Sequence, residues 1–94
     1  MTTQDQLLMI SRAMDGSKDN WKMQTQTVDE LTLVDGDADD FTKYEIKIKL
    51  GDEFEAHVKF DNPAADFEYK LHKPESLVKL LLGQELAQSE IEHV

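Results

Sequence analysis

The sequence has no cysteine, two prolines and only one basic side chain for every two acidic ones. The lack of cysteine excludes disulfide bonds and thiolate metal sites, and it fits a reducing compartment. No apolar run approaches the roughly 20 residues that a membrane-spanning helix needs. The amino terminus also lacks the basic segment of a secretory signal. We therefore expect a cytoplasmic protein that does not bind membranes.

The shortage of positive charge gives the chain a net charge of −10. Nucleic acids and anionic membranes are recognised by clustered Lys and Arg, so the balance argues against both as direct partners. It permits a cationic partner. Solubility alone is the other explanation of such a charge.

The 94 residues, 39% of them apolar, predict a single domain over residues 1–94 with an N-terminal helix. Thr3 and Gln6 have the spacing of a capping box. Asp15 and Gly16 predict the end of the helix, with the glycine in the left-handed conformation. Between these signals, mostly apolar residues recur at helical spacing, namely Leu7, Leu8, Ile10, Ser11 and Met14.

An antiparallel meander of 3–5 strands is predicted from the middle of the chain. Residues 21–34 read as two short strands with a bend or bulge at Asp29 and Glu30, which are poor strand residues. Residues 42–60 alternate apolar and charged side chains on both sides of a turn, which is the pattern of a hairpin. A further strand is predicted over residues 67–72. The fold class is therefore α+β.

Opposed charges fix the expected register of these strands. Leu50 opposite Phe54 sets two opposite-charge pairs on the outer face, Lys49 with Glu55 and Glu45 with Lys59. Phe60 opposite Phe67 then sets Lys59 beside Glu68. The outer face of the sheet is predicted to be a solvated ladder of both charge signs.

The C-terminal segment is expected to be one helix, or a kinked helix pair, packed on one sheet face. Pro74 suits the first helical turn and Gly83 interrupts the pattern, after which residues 84–92 fit a kinked continuation or a second short helix. Residues 77–82 are apolar around most of the helix. One helix packed on a sheet buries only one side, so some of these apolar side chains need another cover. Either the first helix covers them, or a second copy of the chain does. The second alternative makes Leu81, Leu82 and Leu86 candidate partner-binding residues.

The acidity is concentrated before the hairpin. Residues 29–40 contain six acidic residues and no basic one. The segment that begins at Asp35 resembles the start of an EF-hand calcium loop. Counted from Asp35, its sixth and twelfth positions are Asp40 and Ile46, where an EF-hand needs glycine and glutamate. The candidate residues for binding a basic partner are Asp35, Asp37, Asp39 and Asp40.

Signals for catalysis are weak. No phosphate-binding loop, dinucleotide fingerprint, His-Glu-x-x-His motif or nucleophile elbow occurs. His57, His72 and Glu55 share the predicted outer face and could ligate zinc, although an ordinary exposed ladder explains them as well. We predict no catalytic residue, no metal and no cofactor. Trp21 is expected in the core, with its indole N–H bonded to a backbone acceptor, whereas an exposed Trp21 would instead mark a binding hot spot.

The predicted order of helix, three or four strands and helix resembles the topology of double-stranded-RNA-binding domains. That family begins its last helix with lysines, whereas this chain has Lys73-Pro74-Glu75-Ser76. In acidity, small size and mixed structure the chain is similar to some phage-encoded nuclease inhibitors. It is also similar to type III secretion chaperones, which are acidic and dimeric but usually longer.

Three functions follow as hypotheses. The first is a small acidic, non-catalytic protein-binding or regulatory protein, in one form a homodimer through the C-terminal helix. The second is an inhibitor that mimics nucleic acid against a basic enzyme, or an acidic secretion-chaperone-like protein. The third is a small enzyme or metal-binding protein that uses the His57 and His72 face.

Overall fold

The computed structural model describes residues 2–35, 43–61 and 66–94. These residues form an N-terminal helix, a six-stranded antiparallel sheet and a C-terminal helix. The α+β class is confirmed, and the predicted number of 3–5 strands was too low. The elements are α1 (Thr3–Gly16), β1 (Trp21–Gln26), β2 (Glu30–Asp35), β3 (Lys43–Lys49), β4 (Glu55–Asp61), β5 (Phe67–Leu71), α2 (Pro74–Leu81), a 3₁₀ turn (Gln88–Glu90) and β6 (Glu92–His93).

The sheet is a simple meander in which every strand pairs with the next one. The predicted hairpin register is confirmed, with Lys49 opposite Glu55 and Glu45 opposite Lys59. Phe60 also lies opposite Phe67, as predicted. The opposite-charge pairs therefore identify the correct register. A slip of one residue would break these pairs and move the apolar side chains to the outer face.

Strands β1 and β2 are the two short strands that the sequence predicts, and the predicted bend at Asp29 and Glu30 falls at the turn between them. Residues 27–29 form the turn, which is closed by the Thr27 N–H donating to the Glu30 carbonyl at 2.8 Å. The bulge lies within β1, where the register shifts between Met23 and Thr25.

Both helices contribute to one core on the inner face of the sheet. Three cross-strand rows make up that face, and α1 and α2 cover two of them. The residues buried in these two rows are Leu31, Leu33, Ile46, Ile48, Ala56, Val58 and Leu71. The helices bury Ile10 and Ala13 from α1, and Leu77 and Leu81 from α2, against them.

Helix α1 differs from the prediction at both ends. Its capping box uses Thr2 and Asp5, one residue earlier than predicted. Gln6 is instead buried and binds the backbone of Gly51. Gly16 does not adopt the left-handed conformation, and the helix ends before an extended Ser17.

The segment after α2 is not the predicted helical continuation. Gly83 has a φ of +73°, which ends the helix in the left-handed region that favours glycine. The Glu90 carboxylate then accepts hydrogen bonds from the Ser76 hydroxyl at 3.0 Å and the Lys79 ammonium at 3.1 Å. These bonds hold the returning segment along α2 and lead it into β6, which pairs with β5. Among the residues described, no helix is long and apolar enough to cross a membrane.

Candidate protein-binding surface

The third row of the inner face is aromatic. The register places Trp21 opposite Asp35, Asp35 opposite Tyr44, and Tyr44 opposite Phe60. Phe60 lies opposite Phe67 on β5. We call the four side chains of Trp21, Tyr44, Phe60 and Phe67 the aromatic row.

Neighbouring rings in the aromatic row are in contact. The ring centroids lie 5.9 Å apart for Trp21 and Tyr44, 4.6 Å apart for Tyr44 and Phe60, and 4.7 Å apart for Phe60 and Phe67. These separations are in the range of attractive tilted and stacked pairs. Tyr69, two residues after Phe67, extends the cluster at 5.9 Å.

The helices leave the aromatic row partly exposed. Trp21, Tyr44 and Phe60 are half-buried, and Phe67 is 43% exposed. By contrast, Leu33, Ile46 and Val58 of the adjacent row are fully buried. The apolar face of the sheet therefore extends beyond the area that α1 and α2 cover.

Two carboxylates lie near the Trp21 end of the aromatic row. Asp35 lies within the row and is half-buried, and Asp19 is exposed just before β1. Burial raises the pKa of the Tyr44 hydroxyl, and the negative charges of Asp19 and Asp35 raise it further. This end of the row combines aromatic surface with negative potential.

Trp21 is half-buried rather than in the core as predicted, and the predicted hydrogen bond of its indole N–H is not found among the described residues. Its ring packs against the core cluster and Tyr44. Its buried Nε1 has no acceptor among the residues that the structure describes. Leaving such a buried donor without an acceptor costs about 1–3 kcal/mol of stability. The Trp21 end of the row is therefore a less stable part of the fold than the core.

An open groove of about 630 Å³ adjoins the Phe67 end of the row. Val94, which is 73% exposed, forms one wall of it. The other lining residues are Lys59, Phe60, Asp66, Phe67 and Glu68. Three of the six lining residues are charged, and Lys59 and Glu68 belong to the outer face, so the groove is a mixed polar and apolar surface.

The outer face carries the predicted charge ladder. His57 binds Glu68 at 3.0 Å, Lys70 binds Glu55 at 3.0 Å, and His72 contacts Glu92 of β6. The predicted zinc-type set of His57, His72 and Glu55 thus has a different partner for each member. Within the described ranges, no group of three or more His, Cys, Asp or Glu could hold a metal ion.

The leucines predicted to bind a partner are separated by the fold. Leu81 is fully buried in the core, whereas Leu82 is 37% exposed and Leu86 is half-buried. A Cβ placed on Gly16 would lie 3.3 Å from Leu82 Cδ2, so the end of α1 reaches this leucine. The first helix therefore lies against the C-terminal end of α2, where Leu82 stays partly exposed.

Of the acidic candidates, the structure places one. Asp35 ends β2 inside the aromatic row. Asp37, Asp39 and Asp40 lie outside the described residues.

The aromatic row is the feature that the sequence interpretation missed. Its signal was present, because the predicted register already sets Tyr44 opposite Phe60 and Phe60 opposite Phe67. The register alone does not show how far along the strands the helices reach. That length decides whether an inner row is core or surface.

No protein-family model matches the chain, and neither a curated protein nor a solved structure matches it significantly.

Proposed function

We propose that this chain is a non-catalytic, cytoplasmic binding or regulatory protein, and that its aromatic row contacts another protein. The observation that supports this proposal is the partial exposure of four contacting rings on an apolar face. Aromatic side chains dominate the binding energy of protein interfaces because they bury a large area at low conformational cost.

The surface differs from that of the original dimer hypothesis. Leu81, a member of the proposed helix interface, is buried within the monomer. Leu82, the exposed member of that set, lies against the end of α1, whereas the aromatic row presents four partly exposed rings. The mimicry hypothesis uses the acidic stretch of residues 29–40, of which residues 36–40 lie outside the described residues, and it stays a prediction.

Site-directed crosslinking tests the proposal in two stages. A photoreactive phenylalanine analogue at position 67 is irradiated in a lysate of the source cells, with position 8 as the control. Leu8 is a matched site, because it is 49% exposed but lies on α1, outside the aromatic row. The protein captured at position 67 alone is then purified.

Binding of this purified partner is measured by calorimetry. Phe67→Ser should weaken the affinity by at least about tenfold, as expected for an interface hot spot, while Leu8→Ser should change it less than about twofold. Equal losses for both variants, or none for Phe67→Ser, would contradict the proposal. So would a homodimer in sedimentation that Leu82→Ser dissociates and Phe67→Ser leaves intact.

A further inference from the structure

The two ends of the aromatic row differ in charge environment. At the Trp21 end, Asp35 lies directly between Trp21 and Tyr44 in the cross-strand row. Asp19 is exposed two residues before Trp21, and its negative charge contributes to the raised pKa of the Tyr44 hydroxyl. At the Phe67 end, the groove includes Lys59 as well as Asp66 and Glu68. Asp19 and Asp35 place two negative charges at the Trp21 end, whereas Lys59 partly offsets Asp66 and Glu68 at the Phe67 end.

This combination matches one side-chain chemistry. A guanidinium is planar, stacks on aromatic faces and donates paired hydrogen bonds to carboxylates. A carboxylate offers about four acceptor sites, so Asp35 can accept from a guanidinium in addition to a partner within its own chain. Phosphate groups and acidic peptides would instead be repelled by Asp19, Asp35 and the net charge of −10.

We propose that the protein segment bound by the aromatic row is basic, with an arginine side chain that lies over Trp21 and Tyr44 and faces Asp19 and Asp35. This inference rests on the proposed function, since it specifies the chemistry of the partner. Apolar residues of the same segment contact Phe60 and Phe67. Arginine contributes selectivity at one end of the row, and apolar contact contributes affinity at the other.

Synthetic peptides test this without the natural partner. The probes are a peptide of alternating arginine and leucine and its citrulline counterpart, which keeps the planar shape but replaces one NH2 group with an oxygen and so removes the charge and two N–H donors. Trp21 is the only tryptophan, so intrinsic fluorescence reports directly on the proposed contact. The arginine peptide should bind about tenfold more tightly than the citrulline peptide, and high salt should reduce this difference.

Two variants with the same loss of charge separate a local effect from attraction by the whole acidic surface. Asp19→Asn should weaken the arginine peptide about threefold. Glu53→Gln is the control, because Glu53 lies in the turn between β3 and β4, at the opposite end of these strands from Tyr44 and Phe60. It should leave the affinity within about 1.5-fold of the wild type.

Four outcomes decide the inference. The order just described, together with weaker binding by Phe67→Ser, supports it. Equal affinity for arginine and citrulline peptides, with both lost in Phe67→Ser, overturns the arginine assignment and leaves the proposed function standing. Equal effects of Asp19→Asn and Glu53→Gln overturn it as well, because the attraction would then be general. No fluorescence response to either peptide also overturns it, while the crosslinking result at position 67 tests the proposed function separately.

Discussion

The side chain of Gln6 forms two hydrogen bonds with the backbone of one residue, Gly51. Its Nε2 donates to the Gly51 carbonyl oxygen at 2.9 Å, and its Oε1 accepts from the Gly51 N–H at 2.7 Å. Gly51 has a φ of +117°, a conformation that favours glycine. One amide thus attaches the first turns of α1 to the turn between β3 and β4.

Replacing this amide should destabilise the protein strongly. Gln6→Ala removes both bonds and leaves two backbone groups without a partner in a partly buried position, which we expect to cost about 2 kcal/mol. Urea unfolding followed by circular dichroism measures the change. Gln4→Ala, on the exposed side of the same helix, is the control and should change stability by less than about 0.5 kcal/mol. Similar midpoints for the two variants would show that the contact contributes little.

Glu90 should make stability depend on acidic pH. Hydrogen bonds from the Ala87 N–H, then from Lys79 and Ser76, lower the pKa of its carboxyl to about 2. A lowered pKa in the folded state stabilises the protein above the unfolded pKa, and this contribution is lost as pH falls from about 4.5 toward 2. Glu90→Gln should therefore have a lower melting temperature at neutral pH, with the difference shrinking in acid. Glu85→Gln, an exposed neighbour, should show no such convergence.

Tyr69 should make stability depend on alkaline pH. Burial, with a smaller contribution from Tyr44, raises the pKa of the Tyr69 hydroxyl from 10.0 to about 12. A raised pKa stabilises the folded state below the unfolded pKa, and the contribution is lost as pH rises from about 10 to about 12. Tyr69→Phe should therefore lose less stability over this interval than the wild type. Thermal unfolding at several alkaline pH values measures the effect, and identical slopes for both proteins would contradict it.

Adjacent leucines should respond differently to truncation. Leu81→Ala creates a cavity in the core and should cost about 2–5 kcal/mol, whereas Leu82→Ala removes a partly exposed side chain and should cost less than about 1 kcal/mol. Denaturant midpoints should not vary with protein concentration for the wild type. A midpoint that rises with concentration, and does so less in Leu82→Ala, would instead indicate a dimer through α2.

The register was predictable from sequence because short-range alternation and charge pairing carry it. Lys49 with Glu55 and Glu45 with Lys59 agree with the apolar face, so a single register satisfies both conditions. The bend between β1 and β2 was predictable for the same local reason. It lies close to Asp29, a residue that strands disfavour.

The wrong predictions concern segments whose local sequence fits two structures. In each, a contact with a residue far away in sequence determines which structure forms. Thr2 with Asp5 and Thr3 with Gln6 both fit a capping box, and Gln6 instead bonds Gly51, 45 residues away in sequence. The spacing of the apolar residues after Gly83 fits a helix. However, the bonds of Glu90 to Ser76 and Lys79 favour a returning chain that supplies β6.

The bulge in β1 has a consequence for how these molecules behave at high concentration. β1 is an edge strand, and the register shift between Met23 and Thr25 interrupts the even spacing of its outward N–H and carbonyl groups. At the other edge, β6 pairs through only the described residues Glu92 and His93. A strand from a second molecule finds no long, flat template at either described edge. Both features hinder edge-to-edge pairing between the described strands of two molecules, even though the inner face displays a row of aromatic rings.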